Sequence, residues 1–269
     1  MDTTEELQRG TAAVSYDTVK KRYDTESESI LAIEDISLDI QEGEFVSVVG
    51  PSGCGKSTLL HLAAGIFEPT AGRVEINGTD VQDPSHEKNS VGLVFQSPVL
   101  LEWRTVLDNV MLPITVMLEN GTLEHDRAHY RERAEELLSM VGLGEFLDAY
   151  PQELSGGMQQ RVTICQSLAY DPDVMLMDEP FGALDALTKD NMNKELLRIW
   201  NETNKTILFI THDLEEAVFL SDRVVVLSQR PATVLDVVDV DLSRPRTKET
   251  RHDEAFVDLV SHIYEHFSE

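Results

Sequence analysis

The chain has 269 residues, of which 41% are hydrophobic, and this is enough for one large α/β domain with a sizeable core. Its 22 basic and 49 acidic residues give a formal net charge of −27, and such a surface repels nucleic acid, whose backbone binds Lys and Arg. Two cysteines exclude a disulfide framework, and no apolar run approaches the roughly 20 residues of a membrane span.

The acidic residues are scattered through the chain rather than gathered in one tail. One interpretation is an ordinary solvated surface. The other, which we favour, is halophilic adaptation to a high-salt cytoplasm, where a Debye length of a few Å screens the self-repulsion. The few cysteines indicate a reducing compartment, and residues 1–10 lack the apolar core of a signal peptide, so we expect a soluble intracellular protein.

The first third of the chain is rich in strands around one glycine-rich turn. Strands are predicted at 14–23, 36–40, 45–49, 72–77 and 91–95, with a helix at 56–62. The chain then becomes helical from 97 to about 160, which we interpret as a helical insertion. Strands resume at 174–177, 206–210 and 223–227, separated by helices at 191–200 and 214–220, and a last helix is predicted at 253–267. This alternation is typical of a mainly parallel sheet with helices on its faces.

The glycine-rich turn fits the pattern Gly-x-x-x-x-Gly-Lys-Ser/Thr, and it lies between a buried strand and a helix. Its glycines let consecutive backbone N–H groups point at phosphate oxygens, and the helix start adds positive potential. Lys56 is expected to contact the β- and γ-phosphates, and Ser57 to hold Mg²⁺. A chance glycine-rich turn is the alternative. The expected contacts are Gly50, Pro51, Ser52, Gly53, Cys54, Gly55, Lys56, Ser57 and Thr58.

Two further segments have a chemical interpretation. Asp178 and Glu179 follow an apolar strand, and ligands bind beyond the carboxyl ends of parallel strands, so Asp178 is expected to face Mg²⁺ and Glu179 to polarise the attacking water. A surface strand end is the alternative. In segment 154–161, Leu-Ser-Gly-Gly-Met-Gln-Gln-Arg, Ser155 is a candidate N-cap and two glycines make a second anion site at a helix start. Taken alone, this segment is better explained as a plain helix cap with a tight turn.

Segments 50–58, 154–161 and 174–179, in that order, resemble the ATP-binding-cassette (ABC) ATPases, whose signature is Leu-Ser-Gly-Gly-x-Gln-Gln-Arg. The resemblance implies an α/β fold: a P-loop NTPase (RecA-like) core with a mainly parallel sheet, an N-terminal antiparallel β subdomain and an inserted helical subdomain. The implied ATP-binding core covers 14–96 and 162–246, and the helical subdomain covers 97–161. A flexible tail is expected at 1–13, and a C-terminal tail, predicted to be helical, at 247–269.

The resemblance also gives roles to single residues. Tyr23 is similar to the aromatic residue that stacks on adenine, although a strand aromatic in the core is the alternative. Asp185, in the loop 183–185, belongs to the segment that crosses a dimer interface. His212 is similar to the switch histidine at the γ-phosphate, whereas a histidine after a strand is otherwise structural. The implied catalytic residues are Glu179, His212, Gln96 and Lys56; the metal ligands are Ser57, Gln96 and Asp178; the ATP contacts across the dimer are Ser155, Gly156, Gly157, Gln159 and Asp185.

By resemblance, two copies sandwich two ATP molecules, each held on one copy's phosphate loop and facing the other copy's signature. Segments 100–110 and 227–246 are similar to importers of nitrate, sulfonate, taurine and related small solutes. The protein is then an importer ATPase on the inner face of the cell membrane. Its expected partners are a second copy, transmembrane permease subunits and, indirectly, a solute-binding protein. Permease contact is expected at 96–109, with Leu100 and Trp103 as apolar candidates unless these pack within the insertion.

Two alternatives come from other functional classes. A non-transport ABC protein of DNA repair or translation typically has two cassettes in one chain or long coiled-coil inserts, and neither is found in this sequence. An unrelated phosphate-loop kinase or GTPase would leave segment 154–161 and His212 unexplained. Sugar importers usually append a longer β-rich regulatory domain, for which the sequence after residue 246 is too short.

Overall fold

The computed structural model describes residues 12–24, 28–84, 86 and 90–268. These residues divide into two units: the first runs to His86 and resumes at Asn204, and the second is Glu87–Thr203. Nearly all of the predicted tail at 1–13 lies outside the described residues. The domain boundaries expected from the sequence stay a prediction.

Ten strands and seven α-helices are described. The strands are β1 (Ala12–Asp24), β2 (Ser29–Gln41), β3 (Phe45–Val49), β4 (Ala71–Ile76), β5 (Thr79–Asp80), β6 (Val91–Val94), β7 (Val174–Asp178), β8 (Thr206–Ile210), β9 (Arg223–Leu227) and β10 (Ala232–Asp239). The helices are α1 (Lys56–Ala63), α2 (Val106–Glu119), α3 (Arg127–Met140), α4 (Gly156–Leu168), α5 (Ala186–Thr203), α6 (Leu214–Leu220) and α7 (Glu254–Glu265).

In the first unit the strands follow the order β5-β4-β1-β2-β10-β9-β3-β8. Strand β3 pairs in parallel with β8 and β9, whereas β1 pairs antiparallel with β2 and β4. All five residues of β3 are buried, as are all five of β8, because helices α1 and α6 lie against this part of the sheet. Continuous apolar runs are typical of parallel strands that are covered on both faces. The parallel core and the antiparallel N-terminal strands confirm the predicted fold class.

Helix α6 is held at its C-terminal end by a buried arginine. Arg246 Nη1 donates to the carbonyl oxygens of Val218, Phe219 and Ser221, and Arg246 Nη2 donates to Val240 O at 3.3 Å. The last carbonyls of a helix have no partner within it, so a planar guanidinium can satisfy several at once. Burial lowers the pKa of Arg246 to about 10, and the nearby Arg244 charge acts in the same direction.

The second unit consists of the parallel pair β6 and β7 and four helices, among which α2, α3 and α4 pack on one another. Helix α2 buries Val106, Val110 and Ile114, which recur every four residues and form one apolar face. Polar side chains begin the helices: Thr105 accepts a hydrogen bond from Asp108 N, and Asp126 accepts one from His129 N. The helical region expected from 97 to about 160 contains α2, α3 and the start of α4, and residues 120–126 and 141–155 connect these helices.

Candidate functional site

The glycine-rich turn connects β3 to α1 in the first unit. Gly53 has φ +73° and Gly55 has φ +127°, both in the region that side chains rarely adopt, so this turn depends on glycine at these two positions. Helix α1 begins directly after Gly55, and its first residue is Lys56. The strand, turn and helix expected from the sequence are therefore present at 45–63.

The Lys56 side chain folds back into this turn. Its Nζ donates to the carbonyl oxygens of Gly50 at 2.9 Å and Pro51 at 3.1 Å, and the residue is 6% exposed. A buried ammonium needs such partners because burial without them is costly. The two bonds hold a positive charge at the turn and at the start of α1, where the backbone N–H groups also attract anions.

Tyr23 lies beside α1. Its hydroxyl is 3.3 Å from Thr58 Oγ1, and its half-buried ring packs edge-on against Phe67 with centroids 5.7 Å apart. Lys21 Nζ lies 5.0 Å from the centre of the Tyr23 ring. The structure thus brings Tyr23 next to the last residue of the glycine-rich motif, and its ring is not fully enclosed in the core.

The two cysteines are buried and are not candidates for nucleophilic chemistry. Burial raises the pKa of the Cys54 thiol, although the charge of Lys56 opposes this, and burial raises the pKa of Cys165 to about 12. Because the thiolate is the reactive form, both side chains behave as small apolar groups.

His212 is exposed and lies between strand β8 and helix α6 of the first unit. It follows β8, and the neighbouring Thr211 is buried and donates through Oγ1 to Glu216 Oε2 at 2.5 Å. On the other side Asp213 caps α6, because its Oδ1 accepts from Glu216 N at 3.1 Å and its own N–H donates to Thr211 Oγ1. These bonds fix the backbone on both sides of His212, so its imidazole is presented from a rigid position.

Gln96 and Glu179 converge on one point in the second unit. A Cβ placed on Gly182 would lie 3.4 Å from both Gln96 Nε2 and Glu179 Oε2. Glu179 follows Asp178 at the end of β7 and has φ +44°, which is a strained conformation for glutamate. Strained backbone of this kind is concentrated at functional sites. The structure therefore supports a common site for Gln96 and Glu179.

Ser155 caps helix α4, as the sequence predicted: its Oγ accepts from Met158 N at 3.4 Å. Gly156 is exposed, whereas Gly157 is buried. The Gln159 side chain donates to Pro151 O at 2.8 Å, so it also has a structural role that the sequence did not predict.

Asp185 directly precedes helix α5. Its carboxylate accepts hydrogen bonds from the N–H groups of Leu187 and Thr188 at 3.1 Å each and from Thr188 Oγ1 at 2.7 Å. The bonds from Thr188 are the largest cause of the lowered pKa of Asp185. A Cβ placed on Gly157 would lie only 2.7 Å from Thr188 Cγ2, so the start of α4 lies against the start of α5.

Sequence reasoning missed Asn109, which organises the loop before α2. Asn109 is fully buried; its Oδ1 accepts from Leu101 N at 2.7 Å, and its Nδ2 donates to the carbonyl oxygens of Leu101, Arg104 and Thr105. This loop presents Trp103 with 74% of its surface exposed, whereas Leu100 is half-buried. An asparagine within an otherwise apolar helical segment was the available signal, because a buried amide needs partners.

The predicted site residues therefore fall into two groups. The glycine-rich turn, Tyr23 and His212 belong to the first unit, and Gln96, the segment Ser155–Gly157, Asp178, Glu179 and Asp185 belong to the second. Hydroxyl, amide and carboxylate oxygens make up the proposed metal ligands, and such hard donors suit Mg²⁺. A helix with the length and hydropathy to cross a bilayer does not occur among the described residues.

Comparison with known proteins gives consistent matches. Residues 33–182 match the family model described as ABC transporter. The nitrate import ATP-binding protein NrtD of Synechococcus elongatus is 42% identical over 240 residues, which is 89% of this chain and 85% of that protein. The taurine import ATP-binding protein TauB of Jannaschia is 47% identical over 207 residues, 77% of this chain and 74% of that protein.

A solved structure supports the same relationship. It is a dimeric ATP-binding cassette in a post-hydrolysis state bound to ADP and Pi, 33% identical in sequence, with a TM-score of 0.73. The match covers 86% of this chain and all of that chain.

Proposed function

The chain belongs to the ABC transporter family as an ATP-hydrolysing subunit, and from this premise we propose that it powers a membrane importer of a small solute. The observation that carries the proposal is the turn between β3 and α1, where two glycines with positive φ and the enclosed Lys56 make up the segment that we assign to phosphate binding. The proposed function has four parts: nucleotide binding, ATP hydrolysis, pairing of two copies of the chain and coupling to a permease.

Nucleotide binding is assigned to the first unit. Lys56 Nζ already lies at the loop, where it can exchange its bonds to Gly50 O and Pro51 O for phosphate oxygens. Backbone N–H groups of 50–58 and the start of α1 complete the phosphate contacts. We infer that the ring of Tyr23, whose hydroxyl lies 3.3 Å from Thr58 Oγ1, stacks on the adenine.

Hydrolysis is assigned to Glu179 and the groups around it. We infer that a Glu179 carboxylate oxygen accepts the proton of the water that attacks the γ-phosphate, and that Gln96 Nε2 orients this water. The strained Glu179 backbone fits a carboxylate held in a fixed direction. Ser57, Gln96 and Asp178 would hold Mg²⁺, which neutralises charge on the phosphates when it is bound. His212 would donate to the γ-phosphate.

Two copies of the chain are proposed to share each ATP. Ser155 and Gly156 are exposed at the start of α4, and this helix start offers N–H donors to an anion. The dimeric solved cassette supports this pairing. Asp185 would cross the interface from the start of α5.

Coupling to transport is assigned to the loop that Asn109 organises. Trp103, at its tip, is a large apolar side chain in water, which favours a protein partner. A permease helix docking there would hold the subunit at the inner face of the cell membrane. The nitrate and taurine importers among the relatives support a small anionic or zwitterionic solute, delivered by a solute-binding protein.

The test compares the variants Glu179→Gln and Lys56→Ala with Glu202→Gln, a matched change at an exposed carboxylate at the end of α5. Glu179→Gln should lower steady-state ATP hydrolysis by at least about 100-fold, as expected for loss of a general base, and should keep ATP bound in a dimer. Lys56→Ala should weaken ATP binding itself. Glu202→Gln should behave as the unmodified chain.

Hydrolysis is measured by phosphate release, ATP affinity by calorimetry and the dimer by light scattering with ATP and Mg²⁺. Normal turnover by Glu179→Gln would remove the proposed base, and unchanged ATP affinity of Lys56→Ala would contradict the assigned loop. Co-purification of the tagged chain with a multi-span permease tests the transport assignment, and recovery with DNA-repair or ribosomal proteins instead would contradict it.

A further inference from the structure

A cluster of three metal-ligating side chains lies on strand β10 and helix α7, in residues to which the proposed ATP chemistry gives no role. Asp236 belongs to β10, His262 belongs to α7, and His266 is the C-cap residue directly after α7. One ligand atom from each lies within 4.8 Å of the other two. Among the described residues, no other group of three His, Cys, Asp or Glu side chains is placed in this way.

The two imidazoles converge on one carboxylate oxygen. His262 Nε2 is 2.9 Å from Asp236 Oδ2, and His266 Nε2 is 3.0 Å from the same atom. The ring planes meet at 82° with centroids 5.4 Å apart. Both rings point their Nε2 atoms the same way because residues four apart lie on one face of a helix.

The backbone fixes this arrangement from both sides. Helix α7 is anchored by Phe256 and Ile263, which are almost fully buried, so its orientation is set independently of the histidines. On β10, Asp236 shares the less exposed face with Val238, whereas Leu235 and Val237 point to the exposed face. Packing therefore holds the three side chains together.

The cluster is also reachable from solvent. The His262 side chain is 52% exposed, and the side chains of Asp236 and His266 are 31% and 28% exposed. An ion can enter without unfolding, and a water molecule can complete its coordination.

The donor set identifies the class of ion. Two imidazole nitrogens and one carboxylate oxygen suit Zn²⁺ and similar divalent transition metals, and are unlike the all-oxygen sites of Mg²⁺ and Ca²⁺. In a tetrahedral zinc site with bonds of about 2.0–2.1 Å, neighbouring ligand atoms lie about 3.3 Å apart. The observed 2.9 and 3.0 Å need each ring to retreat from Asp236 by a few tenths of an ångström, and the ligand atoms of the two histidines lie within 4.8 Å of each other.

We propose that Asp236, His262 and His266 bind one divalent transition-metal ion of the Zn²⁺ type, which ties helix α7 to strand β10. Each neutral imidazole presents its Nε2 lone pair to the ion and keeps its proton on Nδ1. Asp236 supplies the anionic oxygen, and water completes the coordination. The alternative is a hydrogen-bonded cluster without metal, in which each histidine Nε2–H donates to Asp236 Oδ2 and no ion binds.

The experiment uses the full chain without nucleotide, treated with chelator and then kept in excess Mg²⁺ so that oxygen-rich sites are occupied. Zn²⁺ binding is measured by competition with a fluorescent chelator, and Co²⁺ is added in parallel for its absorption spectrum. The variants are His262→Ala, His266→Ala and Asp236→Asn. The matched control is the double change of His125 and His129 to Ala, a pair with rings 4.2 Å apart and the same four-residue spacing.

The expected result is one Zn²⁺ per chain, with affinity lowered about 10-fold or more by each of the three variants and unchanged in the control. Zn²⁺ should raise the melting temperature of the unmodified chain, because an ion that binds only the folded state stabilises it. Zn²⁺ should raise the melting temperature of the three variants less than that of the unmodified chain. Co²⁺ should give the intense visible absorption of a four-coordinate site.

Three results would overturn the proposal: Zn²⁺ affinity that is the same in all variants, binding that is lost in the His125 and His129 control, or no stoichiometric binding by the unmodified chain. In the hydrogen-bond alternative, the variants melt at lower temperature without metal while Zn²⁺ leaves the unmodified chain unchanged. Far-UV circular dichroism checks that each variant is folded. The Co²⁺ spectrum of the unmodified chain tests the site even if a variant fails to fold.

Discussion

Replacing Gly157 by alanine tests the contact between the starts of α4 and α5. Gly156 and Gly157 are adjacent in the first turn of α4, and neither has a positive φ, so the backbone allows alanine at both. Their surroundings differ. The new Cβ at Gly157 would lie 2.7 Å from Thr188 Cγ2, whereas at Gly156 the nearest atom is Leu184 Cδ2 at 4.0 Å. Gly156→Ala is therefore a matched control.

The magnitude follows from this distance. Carbon atoms in contact normally lie 3.5–4.0 Å apart, so the Thr188 methyl group would have to retreat by about 1 Å. Rotation of Thr188 would break the hydrogen bond from its Oγ1 to Asp185, which costs about 1 kcal/mol, and overpacking without rotation costs about 1–3 kcal/mol. Alanine regains up to about 1 kcal/mol of helix propensity over glycine. Gly157→Ala should therefore lower the free energy of unfolding by up to about 3 kcal/mol, and Gly156→Ala should leave it equal or slightly higher.

Urea denaturation of the nucleotide-free chain measures both variants, with the slope checked for constancy. Thr188→Ser provides the decisive second change, because serine keeps the hydroxyl that bonds Asp185 and lacks the methyl group. In a double-mutant cycle, Gly157→Ala should become nearly neutral beside Thr188→Ser. Equal stabilities of the Gly156 and Gly157 variants, or additive effects in the cycle, would refute the proposed contact.

Two further predictions concern charge and the end of α6. With a net charge of −27, screening should relieve self-repulsion, so the unfolding midpoint should rise with KCl concentration, and a flat response would contradict halophilic adaptation. Arg246→Met leaves buried carbonyls of α6 without their charged donor and should lower the free energy of unfolding by about 3 kcal/mol, while Arg131→Met on the exposed face of α3 should change it by less than about 0.5 kcal/mol in the same urea titration. Equal losses in the two arginine variants would contradict the capping role.

Much of the parallel core could be predicted because its signals are local. The buried strands β7 and β8 contain continuous apolar runs, β3 is apolar except for the small Ser47, and polar or glycine residues lie at the ends of all three. Strand β10 was not predicted, because Asp236 interrupts its apolar residues, so the segment shows neither a continuous apolar run nor a strict alternation. The start of α5 was placed five residues too late, because the capping bonds of Asp185 are visible only in the structure.

In the candidate site, too, local sequence patterns could be recognised, whereas contacts between distant residues could not. Candidate residues in contiguous motifs, such as Lys56 and Glu179, could be proposed from pattern and spacing. For Asn109 the sequence offers only a polar residue in a largely apolar helical segment, because its partners, three carbonyl groups of the preceding loop, are visible only in the structure. The packing of Gly157 on Thr188 likewise joins residues 31 positions apart, and only the distance between the two helix starts reveals it.

The cluster on β10 and α7 shows why register limits such predictions. The spacing of His262 and His266 is readable as one helical face, but the third group depends on which side of β10 Asp236 occupies. A shift of one residue would exchange the two faces of the strand, and the apolar residues around Asp236 fit either choice. In the structure β10 pairs with β9 in a register that changes between Val234 and Asp236, and Asp236 faces the histidines. Strand register therefore decides whether two helical histidines gain the carboxylate that makes them a candidate metal site.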